Sequence, residues 1–129
     1  MSIDFAERAR ALVGTRFRPQ GRSAEGMDCI GVALAVFGVP AEEVRRDYRL
    51  RGDHETEMRF CLALHFRRVP ATQVRPGDLM LMRVAMDQLH LGVRTERGFI
   101  HAHAGLRRVV EPPGNPEWPL IAVYRKRRK

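Results

Sequence analysis

The side chains able to do chemistry in this sequence are a thiol and a group of imidazoles. Cys29 stands in Gly26-Met27-Asp28-Cys29-Ile30-Gly31, with a Gly-containing loop before it and the apolar run from Ile30 to Phe37 after it. That run, closed by Gly38 and Pro40, reads as a buried helix. Asp28 suits its N-cap and Cys29 its first helical position. A thiol placed there meets the positive end of the helix dipole and unpaired backbone N–H groups, which favour the nucleophilic thiolate. The competing reading is a small buried cysteine that only packs. The other cysteine, Cys61, falls mid-helix on or near an apolar face, so Cys29 is expected to be the reactive thiol.

A thiol hydrolyses an amide efficiently only with a base in hydrogen-bond reach, a group to orient that base, and donors for the developing oxyanion. Of the five histidines, His54 and His65 sit in polar or helix-terminal contexts and read as ordinary. His90, His101 and His103 lie in a strand-rich region. A cysteine at a helix start followed by a histidine on each arm of a later hairpin is the arrangement of a papain-like site. Side chains alternate along a strand, so His101 and His103 share a face and parity cannot separate them. A tight turn at Glu96–Arg97 sets His103 opposite His90; one at Thr95–Glu96 sets His101 there. His101-x-His103, joined by Cys29 or His90, also has the make-up of a zinc site. No further ligand pair accompanies it, and no metal or other cofactor is expected.

Around these groups the expected elements are as follows. An amphipathic helix covers residues 3–13, with Ser2 as cap and Gly14 as stop. Residues 15–27 form a loop leading to Asp28. Residues 40–53 are a polar connector or lid with one helical turn at 41–44, and a second helix covers 54–66. After the turn Arg75-Pro76-Gly77-Asp78, short strands follow at 79–84, 89–94, 98–103, 107–110 and 120–125. Pro112, Pro113, Gly114 and Pro116 make a rigid loop before the last of them. Helices first and antiparallel strands afterwards predict an α+β domain, with N-terminal helices packed on a C-terminal sheet.

At 129 residues the chain has the size of one domain, 1–129. No apolar run approaches the roughly 20 residues of a membrane span. The start, Met-Ser-Ile-Asp-Phe-Ala-Glu-Arg, lacks the basic-then-apolar order of a secretory signal, so synthesis in the cytoplasm and export by another route are expected. Neither cysteine belongs to a C-x-x-C pair, which argues against zinc-finger and thioredoxin-like chemistry. The net charge of +8 favours anionic partners, nucleic acid or an acidic polymer such as a cell wall. The arginines are scattered, the dense run at 125–129 reads as a solvated tail, and no basic–aromatic interleaving is present, so nucleic-acid binding is not expected.

Four segments together resemble the NlpC family of papain-like cysteine peptidases, which cut peptide stems of bacterial peptidoglycan. They are Gly26-x-Asp28-Cys29-x-Gly31, Arg75-Pro76-Gly77-Asp78-Leu79, His90-Leu91-Gly92-Val93 and Phe99-Ile100-His101-Ala102. The resemblance spans nearly the whole chain. It is narrowest to the short forms encoded with phage and gene-transfer-agent tails. It implies Cys29 as nucleophile, His90 as general base and His101 as third member. It also implies Phe17, Asp28 and His103 as positions flanking the substrate, and a bond between D-glutamate and a diamino acid as the one cut. Phage-like tail or hub proteins are the implied partners, and the wall or periplasm the implied place of action. Two departures bear on substrate fit. Ile30 stands where the family usually has serine. Phe17 stands where it often has a tyrosine, and Phe17 offers no hydroxyl. An inactive tail or hub protein keeping the fold is the rival expectation.

Overall fold

A computed structural model describes residues 3–23, 25–40, 55–86 and 88–127. The expected connector at 41–53, its helical turn, Ser2 and His54 lie outside the described residues.

Helix α1 (Phe5–Arg10) is shorter than its apolar pattern suggests. Asp4, not Ser2, caps it, accepting a hydrogen bond from the Glu7 N–H at 3.0 Å. Two short strands, β1 (Arg22–Ser23) and β2 (Gly26–Met27), pair within the stretch expected to be loop. Helix α2 (Cys29–Phe37) follows directly and ends at Gly38, which takes the left-handed conformation of a C-cap. Helix α3 spans Glu55–His65. Phe66, expected to end that helix, instead opens strand β3 (Phe66–Val69). The strand is amphipathic at its ends only, with Arg67 and Arg68 exposed between buried Phe66 and Val69, so it carries no period-two signal.

Strands β4 (Leu79–Ala85), β5 (Gln88–Arg94), β6 (Phe99–His103), β7 (Arg108–Val110) and β8 (Leu120–Lys126) complete a six-stranded antiparallel sheet in the order β3-β8-β4-β5-β6-β7. The α+β architecture expected from the sequence is the one observed. β4 lies in the middle and is apolar at four successive positions, because both faces of the sheet are covered there. Leu79 and Leu81 face α2 with Leu89, Leu91, Val93, Ile100, Val36 and Phe37. Met80 and Met82 face the other way and pack with Phe99 and Trp118.

The turn before β4 is pinned to the neighbouring strand β8, so Arg125, expected in a solvated tail, is instead a structural residue. Asp78 is buried, and its carboxylate accepts two hydrogen bonds from the Arg125 guanidinium, each 2.8 Å, and a third from the Arg75 N–H at 3.0 Å. The Arg75-Pro76-Gly77-Asp78 motif is thus a clamp that fixes the start of β4 against β8. Among the described residues no helix is long and apolar enough to cross a membrane.

Candidate active site

The sequence positions Cys29 through its neighbours. The Asp28 carboxylate caps α2, accepting from the Gly31 N–H at 2.8 Å, and its second oxygen accepts from the Gln20 N–H at 3.1 Å. Both carboxylate oxygens are therefore committed to backbone groups, and Asp28 shapes the site instead of projecting into it. Gly31 allows the 18–28 loop to lie against the first turn of the helix: a Cβ there would collide with the Gly21 carbonyl. Phe17 is half-buried on the core beside this loop, with its N–H donating to the Arg107 carbonyl at 2.9 Å. These contacts hold Cys29 at the first position of α2, as its sequence context predicts.

The electrostatics differ from the expectation. Cys29 is 3% exposed, and burial pushes its thiol up to about 12, with the Asp28 carboxylate adding to the rise. Backbone hydrogen bonds from Leu91, Cys29 and Ile30 act in the opposite direction without prevailing. The favourable helix terminus is present, but desolvation of a thiolate outweighs it. At rest this cysteine is a neutral thiol.

His90 and His101 stand on the sheet face that carries Met80, Met82 and Phe99, His90 paired with Met82 across β4–β5. His90 Nε2 and His101 Nδ1 are 2.8 Å apart. The β5–β6 ladder pairs Val93 with Ile100 and Arg94 with Phe99, and the Thr95 N–H donates to the Gly98 carbonyl at 2.9 Å. The turn therefore centres on Glu96–Arg97, the register that sets His103 opposite His90. His101 nevertheless makes the contact, diagonally. The residue opposite it is Gly92, which has no side chain to stand between the rings, and its Cβ position is bordered by Met82, Phe99 and Ile100. Diagonal neighbours on one face lie within reach of ring side chains.

His103 does something else. Its Nδ1 accepts the Leu106 N–H at 3.1 Å and so caps the β6–β7 turn, while its ring lies 5.5 Å from that of His101. Three aromatic contacts enclose the His90–His101 pair. Phe99 stacks on His101 at 4.9 Å between centroids, and Trp118 meets His90 and His101 edge-on at 5.7 and 5.5 Å. Trp118 escaped the sequence reading. The only signal for it was a single tryptophan directly after a proline-rich loop, where a fixed backbone can hold an aromatic lid. Burial lowers His90 to about 3, helped by the positive charge that His101 and His103 would carry. Burial likewise lowers His101 to about 4, with His103 contributing.

The thiol and the imidazole pair both meet β5, at adjacent residues. The Leu91 backbone, which favours the Cys29 thiolate, belongs to the residue next to His90. Cys29 and His90 themselves share no hydrogen bond. With His90 Nε2 engaged by His101, its Nδ1 is the nitrogen left to act as a base. Among the described residues no group of three or more His, Cys, Asp or Glu is arranged to hold a metal ion.

No protein-family model and no curated protein matches this sequence. Its structure is similar to solved ones, among them the following three. NlpC1 from Trichomonas vaginalis superposes with a TM-score of 0.71 at 19% identity, over 97% of this chain and 44% of that one. The peptidoglycan hydrolase RipB from Mycobacterium tuberculosis gives 0.59 at 20% identity, over 95% of this chain and 62% of that one. The P60 domain of an antigen from M. avium subspecies paratuberculosis gives 0.63 at 18% identity, over 95% of this chain and 91% of that one. The chain thus spans less than two thirds of the first two and nearly all of the isolated P60 domain. Its fold is that of the NlpC/P60 domains.

Proposed function

We propose that this chain is a cysteine peptidase acting on the peptide stems of bacterial peptidoglycan. The observation that carries the reading is that a cysteine at the first position of α2 and a hydrogen-bonded His90–His101 pair meet β5 at the adjacent residues Leu91 and His90. The likeness to RipB, named a peptidoglycan hydrolase, supports the substrate class. The finer reading is cleavage between D-glutamate and a diamino acid, at the cell wall, by a component of a phage or gene-transfer-agent tail. It rests on the four sequence segments.

The neutral ground state sets the order of events. His90 must hold its proton on Nε2, donating to His101 Nδ1, so that Nδ1 is free to accept. His101 then carries its own proton on Nε2. As substrate enters, His90 Nδ1 takes the Cys29 proton and the sulfur attacks the stem carbonyl, giving a tetrahedral oxyanion. The Cys29 N–H at the start of α2 donates to that oxygen. Collapse breaks the C–N bond, and His90 returns its proton to the departing amine. His90 then deprotonates water, which attacks the thioester and releases Cys29 as a thiol.

A second reading, a catalytically silent tail or hub protein that keeps the fold, is favoured by the buried thiol and its lack of a hydrogen bond to His90. Digestion of purified stem peptides with mass readout separates the two. Fragments released by the wild type and not by Cys29→Ala support the peptidase. Silence of both supports the structural role.

A further inference from the structure

Beyond the end of α2 opposite Cys29 lies an open trough, lined by the start of α1, by Phe37 and Gly38, by the 75–78 turn, by Arg67 of β3 and by the end of β8 with Arg127 after it. α2 has nine residues, so the trough lies on the order of 13 Å along the helix from the thiol. Among the described residues six cations line it: Arg8, Arg67, Arg75, Arg125, Lys126 and Arg127. The three acids among the described lining residues are already committed. Asp78 is clamped by Arg125, Glu96 pairs with Arg10 at 2.8 Å, and Asp4 caps α1. Among the described residues no carboxylate pairs with Arg8, Arg67, Arg75, Lys126 or Arg127. Arg67 stands directly opposite Arg125 in the β3–β8 ladder, and since Asp78 already neutralises Arg125, Arg67 is the cation of that pair without a carboxylate.

We infer that this trough binds a thin, base-free phosphodiester chain, a polyol phosphate, through its phosphates. Four of the five cations without a carboxylate partner are arginines, whose planar forks match phosphate oxygens in pairs; among the described residues Arg8, Lys126 and Arg127 each also donate to one backbone carbonyl, and Arg67 and Arg75 do not. Among the described residues the aromatic rings lining the trough, Phe5 and Phe37, pack on each other at 4.8 Å and on the core, and neither is free to stack a nucleobase. A concave trough suits a slender chain better than the broad face of a duplex. The site is separate from the thiol and the imidazoles, and binding there is independent of whether peptide is cut.

The test is equilibrium binding of a fluorescent oligo(glycerol phosphate) to the full chain, with duplex DNA and poly-glutamate as competitors. Binding is expected to weaken roughly 30- to 100-fold between 50 and 200 mM salt, as for about four neutralised phosphates. Arg67→Glu with Arg75→Glu is expected to weaken it at least tenfold. Arg68→Glu with Arg97→Glu, equal in charge but outside the trough, is expected to change it less than threefold. Arg67→Gln with Arg75→Gln repeats the test if the charge reversal unfolds the protein. Equal losses in the two pairs, or tighter binding of duplex DNA or poly-glutamate, would overturn the inference. Cleavage of stem peptides is measured apart, so either result leaves the other standing.

Discussion

His101 reaches His90 diagonally across the β5–β6 hairpin, with 2.8 Å between Nδ1 and Nε2, although the register of that hairpin sets His103 opposite His90. Gly92 is the reason. It leaves open the place directly opposite His101, and the two rings close the gap at a right angle, 5.0 Å between centroids.

The first prediction concerns the order of these roles. His101→Ala should lower turnover on stem peptide about 100-fold by freeing His90 to rotate, and His101→Asn or His101→Gln by less. His103→Ala should act mainly on the stability of the turn it caps, about 1 kcal/mol, with turnover within a fewfold. Steady-state kinetics beside thermal melts checks both. A dead His103→Ala enzyme with an active His101→Ala enzyme would reverse the roles.

Thiol reactivity should contradict the simple helix-dipole expectation. Cys29 is buried, whereas Cys61 is half-exposed on α3. In the resting protein a bulky alkylating agent should label Cys61 ahead of Cys29 at pH 7. Labelling of Cys29 should climb with pH toward about 12, as its raised thiol ionises. Mass mapping over time reads both. Faster labelling of Cys29 at neutral pH would show that the site opens readily without substrate.

Stability should fall in acid. His90 and His101 are held near 3 and 4, below the ordinary value of about 6.5, so the unfolded chain takes up protons first. Their contribution is present above about pH 6.5 and is lost as pH falls toward those folded values, roughly 1–2 kcal/mol for each histidine by pH 5. Denaturant melts at pH 7 and pH 5 measure the loss. The wild type should lose more than His90→Gln does, and equal losses would locate the acid sensitivity elsewhere.

Trp118→Ala should uncover the histidine pair. Water admitted at its edge-on contacts should raise both imidazoles toward their ordinary values, seen as upward-shifted titrations by nuclear magnetic resonance. Turnover should fall about tenfold, with stability down by roughly 2 kcal/mol from lost packing on Met80, Met82 and Phe99. Unchanged titration curves would mean that the strands alone keep the pair dry.

Removing the clamp should be costly far from the thiol. Asp78→Ala leaves the partly buried Arg125 without its two carboxylate bonds and should destabilise the fold by about 3 kcal/mol. Arg125→Met removes the partner charge instead and leaves Asp78 buried with the Arg75 N–H alone, at a comparable loss. Additive losses in the double variant would show that the pair is not coupled.

The local rules of the chain were legible in its sequence. The Asp28 cap, the placement of Cys29 at the start of α2, the strands β4 to β8 and the α+β order follow from apolar periodicity, a capping side chain and turn residues, which act within a few positions. Strand β3 was hidden, because Arg67 and Arg68 break the alternation and only pairing with β8 makes the segment extended. The charge states of the site could not be read either. The helix terminus beside Cys29 is a local feature and favours the thiolate, whereas the burial that opposes it is produced by the whole core. The choice of His101 over His103 also needed the tertiary structure. Parity along β6 gives both the same face, and the selection lies in Gly92 on another strand, in Trp118 over the rings, and in the turn that takes His103 for its own cap.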